Sequence, residues 1–322
     1  MHASVTGASG FIGRRVVEHL LNAGASVTIL SRQAVAPAQF AGRVRVVQGD
    51  LCREQDDLAP LLDGCDALFH CAGELYRPEL MEPLHVGGTR RLLDAAQQNA
   101  EQRNKRLHWV HLSSVGAYGP PCTPNEVRIV DETHRLAPVS PYEVTKTRSD
   151  ELVIAAGEQG FFSYTIVRPT NVFGEAMTNT SLRGLLSAIR KRQFFYIGKA
   201  GAITNYVHVD DVVSVLLACA VQSAAQNRVF NVSNDCSLEE LVEASAVALG
   251  VPAPRLRVPE SIARLGATLG GMVPRFPLTQ QRVNALVGRT TYSSQLVRQE
   301  LGFIPSISVA ARARAMLSLE AN

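Results

Sequence analysis

The stretch "VTGASGFIGRRVV" (residues 5–17) decides the fold. The run "ASVT" (3–6) leads into it as a short strand, and "RRVVEHLLNAG" (14–24) leaves it as a helix that sets Val17, Leu20 and Leu21 on one side and stops at Gly24. Between them Gly7, Gly10 and Gly13 recur at three-residue spacing. Such a turn brings backbone amides at a helix N-terminus up to a pyrophosphate, and a side chain there would block the approach. Glycine trios also close simple tight turns; the flanking strand and helix are what point here to a dinucleotide.

Outward from this turn, "SVTIL" (26–30), "VRVVQ" (44–48), "ALFHC" (67–71), "LHWVHLS" (107–113) and "SYTIVR" (163–168) alternate with amphipathic helical stretches. That alternation predicts an α/β fold, a doubly wound parallel sheet built from βαβ units. Residues 1–175 are expected to form the dinucleotide-binding domain and 176–322 a smaller substrate-binding domain, with the strand and helix near 204–232 returning to the first. The proline-rich segment 120–141 is read as a long ordered loop near a site. At the end of the second strand an acid would hold the ribose hydroxyls of NAD, whereas a base accommodates the extra phosphate of NADP. The chain reads "VTILSRQ" (27–33), with Ser31 at the acid's place and Arg32 after it, so NADP(H) is favoured and NAD(H) is possible.

The chain has 322 residues, 46% of them hydrophobic, and a net charge of +3 with acids and bases interspersed. That balance gives no electrostatic footprint for nucleic acid and favours a small-molecule partner. No charged-then-apolar leader opens the sequence, and its longest apolar stretch (212–221) is too short to span a bilayer, so a cytoplasmic location is expected. The six cysteines show no ligand spacing, and no metal is expected.

"PYEVTK" (141–146) carries the chemistry. Ser140, Pro141 and Glu143 read as a capping box that starts a helix, which places Tyr142 and Lys146 at i and i+4 on one face. A phenol titrates near pH 10, so it trades protons at neutral pH only if a cation such as Lys146 stabilises its anion.

Eight segments in order resemble the extended short-chain dehydrogenase/reductase family, also called the NAD-dependent epimerase/dehydratase family. They are "TGASGFIG" (6–13), "GDL" (49–51), "HCAG" (70–73), "HLSSVGAYG" (111–119), "PYEVTK", "IVRPTNVFG" (166–174), "YVHVDDVV" (206–213) and "YSSQLVRQELGFIP" (292–305). The resemblance implies a seven-stranded Rossmann sheet and a catalytic set of Ser114, Tyr142 and Lys146. Tyr142 would exchange a proton with the substrate oxygen, Lys146 would lower its pKa and hold the nicotinamide ribose, and Ser114 would hydrogen-bond the same oxygen. It also implies cofactor contacts from Gly7, Ser9, Gly10, Phe11, Ile12, Gly13, Arg32, Asp50, Leu51, Cys71, Ala72, Gly73, Pro169 and Val172, besides Tyr142 and Lys146. Substrate contacts would come from Ser114, Val115 and Asn171. Family members often pair through the helix that would begin at Ser140, which implies a homodimer.

Four departures shape the functional expectation. Val115 and Gly116 stand where dehydratases of the family carry an Asp-Glu pair, which argues against dehydration. His85 in "HVGGT" replaces the family's Asn and is read as structural in preference to a cofactor-helix contact. Thr204 stands where many sugar-nucleotide enzymes keep a diphosphate-binding arginine, leaving Arg282 and Arg289 as candidates for that charge. Ser31 and Arg32 suit reductive use of NADPH. The expected activity is therefore reduction of a 4-keto nucleotide sugar, of the kind found in deoxysugar or surface-polysaccharide pathways. The alternatives are a nucleotide-sugar 4-epimerase, and a reductase of apolar ketones like the 3β-hydroxysteroid dehydrogenase and dihydroflavonol reductase branch, which the apolar run 261–277 also fits. An NADP-sensing regulator is the non-enzymatic alternative.

Overall fold

A computed structural model describes residues 1–103, 106–123, 125–177, 180–270 and 278–318. The six apolar runs all become strands of one sheet: β1 (His2–Thr6), β2 (Ser26–Ser31), β3 (Arg45–Gln48), β4 (Ala67–His70), β5 (His108–Leu112) and, after a separate short strand β6 (Val127–Val130), β7 (Ser163–Pro169). The strand Arg228–Val232 adds a seventh at the edge, and the order is Arg228–Val232, β7, β5, β4, β1, β2, β3, every pair parallel. Such strands are covered on both faces, which is why they read as near-continuous apolar runs. The winding reverses at β1, between β4 and β2, and the crevice at the strand ends there is where this topology receives ligands.

On one face α1 (Phe11–Asn22) buries Val16, Val17 and Leu20, and the helix Val209–Val221 packs beside it in the same apolar cluster. Arg15 ties the two helices, its Nε donating to Asp210 Oδ1 at 2.9 Å. Gly24, at φ +75°, lets the chain leave α1 and turn into β2. On the other face α2 (Pro78–Met81) runs through a π-helical stretch, Glu82–Gly88, into α3 (Thr89–Arg103); with α4 (Pro141–Glu158) it covers Leu68, Trp109 and Ile166. A third cluster joins Phe173, Leu186, Leu241, Val242 and Met316. Among the described residues no helix is long and apolar enough to cross a membrane.

The segment 120–141, expected as a loop, contains β6, which pairs in parallel with Arg289–Tyr292. A four-residue strand whose Val127 and Ile129 point outward has no local signature; its partner lies far along the chain.

The buried ends of β4 and β5 carry histidines whose rings bond hydroxyls. His70 bonds Thr6 Oγ1 at 2.7 Å and Thr89 Oγ1 at 3.0 Å, His108 bonds Ser163 and Thr165, and His111 bonds Ser149 Oγ at 3.2 Å. Burial pushes His70 down to about 3 and His108 to about 4, and holds His111 well below its ordinary value of 6.5. These rings are neutral in the fold, whereas the unfolded chain takes up protons as pH falls through 6.5. Stability is thus complete above that pH and is lost on the way down toward 3 to 4, by about 1.4 kcal/mol per pH unit for each histidine. Urea unfolding at pH 7, 6 and 5 should show this progressive loss; a level stability over that range would contradict it.

Candidate active site

Gly7 follows β1 at φ +69°, and a Cβ there would stand 2.7 Å from the Cys71 carbonyl and the Ala72 nitrogen, the backbone that leaves β4. The two strands at the switch point therefore touch through a position only glycine can fill. A Cβ on Gly13 would run into the Gly7 carbonyl oxygen. Gly10 caps α1 without a side-chain hydrogen bond, while its own amide donates to Gly7 O at 2.9 Å. Ser9 is exposed, Phe11 and Ile12 are half-buried against the cluster beneath α1, and the first turn of α1 opens just beyond the end of β1.

The other walls follow strand by strand. After β2, Ser31 Oγ accepts from the Gln33 amide at 3.1 Å and Arg32 is exposed. After β3, Asp50 accepts from the Cys52 amide, and Leu51 is buried under Gly88, with Arg91 donating to the carbonyls of both Asp50 and Leu51. After β4 come Cys71, Ala72 and exposed Gly73. Buried Pro169 ends β7, and half-buried Val172 lies in β8 (Asn171–Phe173), where exposed Asn171 donates from Nδ2 to Asn205 O.

The Ser140 capping box is present as read: its hydroxyl accepts from Glu143 N, and Glu143 Oε2 accepts from Ser140 N at 2.9 Å. Ser114 caps the short turn Val115–Tyr118, its Oγ accepting from Gly116 N at 3.1 Å. A Cβ on Gly116 would lie 2.8 Å from Glu143 Cγ and 3.4 Å from Ser114 Oγ, so the Ser114 turn sits against the first turn of α4. Tyr142 there is half-buried and Lys146, one turn on, is buried. Asp150, a further turn along, completes one face of α4. Its carboxylate accepts from Ser113 Oγ at 2.8 Å and from Arg168 at 3.0 and 3.1 Å.

The phenol is not lowered toward neutrality as the resemblance implied: burial pushes Tyr142 up to about 12, with Asp150 adding to the rise, so the phenol holds its proton at neutral pH. Lys146 is drawn below its ordinary value by burial, while Asp150 and Cys71 work to keep it charged. Its ammonium in turn holds down His70, His85 and His111.

The expected substrate residues are not gathered in one place. Val115 is buried beside Ser114, whereas Arg289 lines a separate cleft of about 710 Å³ with Asn125, Lys199, Glu260, Ser261 and Val287. Arg282 is exposed on the helix Gln280–Val287 and is not part of that lining. Thr204 turns its hydroxyl inward to Cys236 O at 3.1 Å. Sequence reasoning did not single out Asp150 or Lys199. The i, i+4, i+8 spacing from Tyr142 was the available signal for Asp150; Lys199 had none.

The profile of the NAD dependent epimerase/dehydratase family matches residues 3–233. A 4-hydroxy-2-methyl-3-oxo-4-farnesyl-3,4-dihydroquinoline-1-oxide ketoreductase of Stigmatella aurantiaca is 30% identical, over 94% of this chain and 92% of its own. A dTDP-6-deoxy-L-talose 4-dehydrogenase (NAD(P)(+)) of Kitasatospora kifunensis is 31% identical over 80% of this chain and 81% of its own. The solved structure of MoeE5 in complex with UDP-glucose and NAD superposes with a TM-score of 0.70 at 23% identity, covering 100% of this chain and 99% of that one. A glycine junction that admits a dinucleotide, a tyrosine and lysine on the adjacent helix, and a family match over most of the sequence lead to one assignment: the chain belongs to the NAD dependent epimerase/dehydratase family, as a nicotinamide-dependent oxidoreductase.

Proposed function

We propose that the chain reduces a ketone with NADPH, and that the ketone is a 4-keto nucleotide sugar. The observation that carries the reaction is the face of α4 that sets protonated Tyr142 one turn from buried Lys146, against the Ser114 turn. The bound cofactor supplies the hydride. Ser114 Oγ and the Tyr142 phenol hydrogen-bond the substrate oxygen, and the phenol gives up its proton as negative charge grows there. The Lys146 ammonium, one turn along the same helix face and kept charged by Asp150, is the cation available to the phenolate left behind.

The sugar reading rests on the cleft at Arg289. Its volume suits a small-molecule ligand. Among the described residues, no hydrogen bond or ion pair engages the Lys199 ammonium, while the facing Glu260 carboxylate is already bonded to Asn125 and Arg264. The Lys199 ammonium can therefore meet a diphosphate that Thr204 cannot, beside Arg289, whose Nη2 already donates to Ala200 O at 2.6 Å. A second reading, reduction of an apolar ketone, is favoured by the farnesylated substrate of the Stigmatella relative and by the helix Glu260–Gly270, which exposes Ile262, Leu265 and Leu269. Residues 271–277 of the apolar run 261–277 lie outside the described residues.

Four measurements test these assignments. Tyr142→Phe should lower turnover by two or more orders of magnitude while NADPH affinity stays within about twofold; unchanged turnover contradicts the role of the phenol, and a protein with dinucleotide affinity but no turnover on any ketone is a sensor. Arg32→Ser should weaken NADPH binding about tenfold and leave NADH binding alone; equal effects on both would remove Arg32 from the 2′-phosphate. NADPH oxidation across 4-keto nucleotide sugars and apolar ketones should show turnover with the former, and Lys199→Ala should raise KM about tenfold at constant kcat. Turnover with apolar ketones alone establishes the second reading.

A further inference from the structure

His85 occupies the middle of the π-helical stretch Glu82–Gly88, where the widened turn carries it inward and buries it. Both ring nitrogens are engaged, and the protons can be followed through the contacts. Glu74 N–H donates to His85 Nε2 at 2.9 Å, so Nε2 carries no proton. The neutral ring then bears its proton on Nδ1, 2.8 Å from Thr145 Oγ1. The Thr145 hydroxyl spends its own proton on Pro141 O at 2.8 Å, with Tyr142 O at 3.2 Å beside it, which leaves the oxygen to accept from Nδ1. The chain of donors runs one way, from the segment after β4 to the two residues that open α4. The His85 ring also meets the Tyr142 ring edge-on, with centroids 5.7 Å apart at 84°.

We propose that His85 is a positioning residue for Tyr142: its neutral imidazole clamps the Gly73–Glu74 backbone to the first turn of α4 and packs against the phenol, fixing where the hydroxyl points. The clamp joins the segment expected to line the cofactor to the residue expected to protonate the substrate, so it couples their positions directly. It rests on the reading of Tyr142 as proton donor. The clamp needs a lone pair on Nε2, which an imidazolium lacks, and burial together with the Lys146 charge holds His85 down to about 3. The charged and titratable groups around the ring are Lys146 and Tyr142 from α4, Glu74 after β4, His70 from β4 and His111 from β5. Of these, Lys146 opposes protonation most directly, and Glu74 favours it more weakly. The Glu74 carboxylate is itself engaged by the amides of Leu75 and Tyr76 and by Arg77, which keeps the donor backbone in place.

The test uses the full chain with saturating NADPH and a 4-keto nucleotide sugar as the ketone. His85→Phe keeps a ring of similar size and removes both hydrogen bonds; His85→Asn restores a short acceptor and donor; Thr145→Val removes the hydroxyl that relays to Pro141. His85→Phe should lower kcat tenfold or more with KM and NADPH affinity within about threefold, His85→Asn should recover much of kcat, and His85→Phe with Thr145→Val should cost little more than His85→Phe alone. The basic limb of the pH profile, which reports the Tyr142 proton, should move to lower pH in His85→Ala, because removing the ring admits water to the phenol. Equal falls in kcat and NADPH affinity with an unmoved basic limb would show a merely structural histidine and overturn the proposal. Tyr142→Phe is the control: if it abolishes turnover while the His85 variants keep full activity, the clamp is wrong and the donor assignment stands; if it does not, the donor assignment itself has failed.

Discussion

A buried carboxylate fixes the geometry on which the site depends. Asp150 leaves water to sit beneath α4, where it is bonded by Ser113 from the end of β5 and by both the Nε and an Nη of Arg168 from β7. Burial pushes the carboxyl up, and Arg168, Lys146 and Ser113 pull it back; the guanidinium, opposed by the same burial, is raised by the carboxylate facing it. Removing one member of such a pair strands the other charge, which typically costs about 3–5 kcal/mol. The pair is thus better understood as a constraint than as surplus stability. It ties α4 to β5 and β7, and that docking brings Lys146 to the end of β4, beside His70 and Cys71.

The same constraint propagates outward through polar contacts. Arg168 lies over the Tyr118 ring at 5.1 Å and donates to its hydroxyl, and Tyr118 donates to Asn231 on the edge strand. On the other side, Ser149 beside Asp150 bonds Thr89 and His111, and Thr89 bonds His70, which bonds Thr6. A continuous ladder of hydroxyls and imidazoles therefore crosses from β1 to α4 at the level of the site. An apolar core of equal volume would hold the layers together as firmly, but it would tolerate a helix shifted by part of a turn; paired donors and acceptors do not.

Much of this was legible locally. Six strands, the glycine turn, the capping box at Ser140 and the i, i+4 relation of Tyr142 and Lys146 all follow from neighbours in sequence, since each depends on backbone geometry within a few residues. The elements that were not legible depend on distant partners. β6 exists because Arg289–Tyr292 comes to it, Asp150 matters because Arg168 is across the sheet, and Lys199 gains a setting only when Arg289 and Glu260 close a cleft around it. His85 shows the division most clearly. Its sequence position marked a departure from the family and suggested a structural histidine; only the fold shows that its two nitrogens bond opposite walls and that its ring meets Tyr142.

Position 116 shows how the helix cap limits the chemistry as well as the geometry. On the proposed reading, dehydration would need an acid and a base beside the Ser114 hydroxyl, where the resemblance places the Asp-Glu pair of the family's dehydratases and this chain has Val115 and Gly116. A side chain at 116 would have to displace Glu143 Cγ, 2.8 Å from where its Cβ would stand. Glu143 is not a free surface residue that can swing aside. Its carboxylate accepts from the amides of both Val139 and Ser140 at 2.9 Å, and those bonds define the start of α4. Enlarging residue 116 therefore disrupts the cap at the start of α4, one residue from Tyr142, so on the proposed reading side chains that would extend the reaction to water loss compete for space with that cap. On the proposed reading, this arrangement favours proton transfer at one oxygen beside a hydride donor, which is the chemistry of interconverting an alcohol and a ketone.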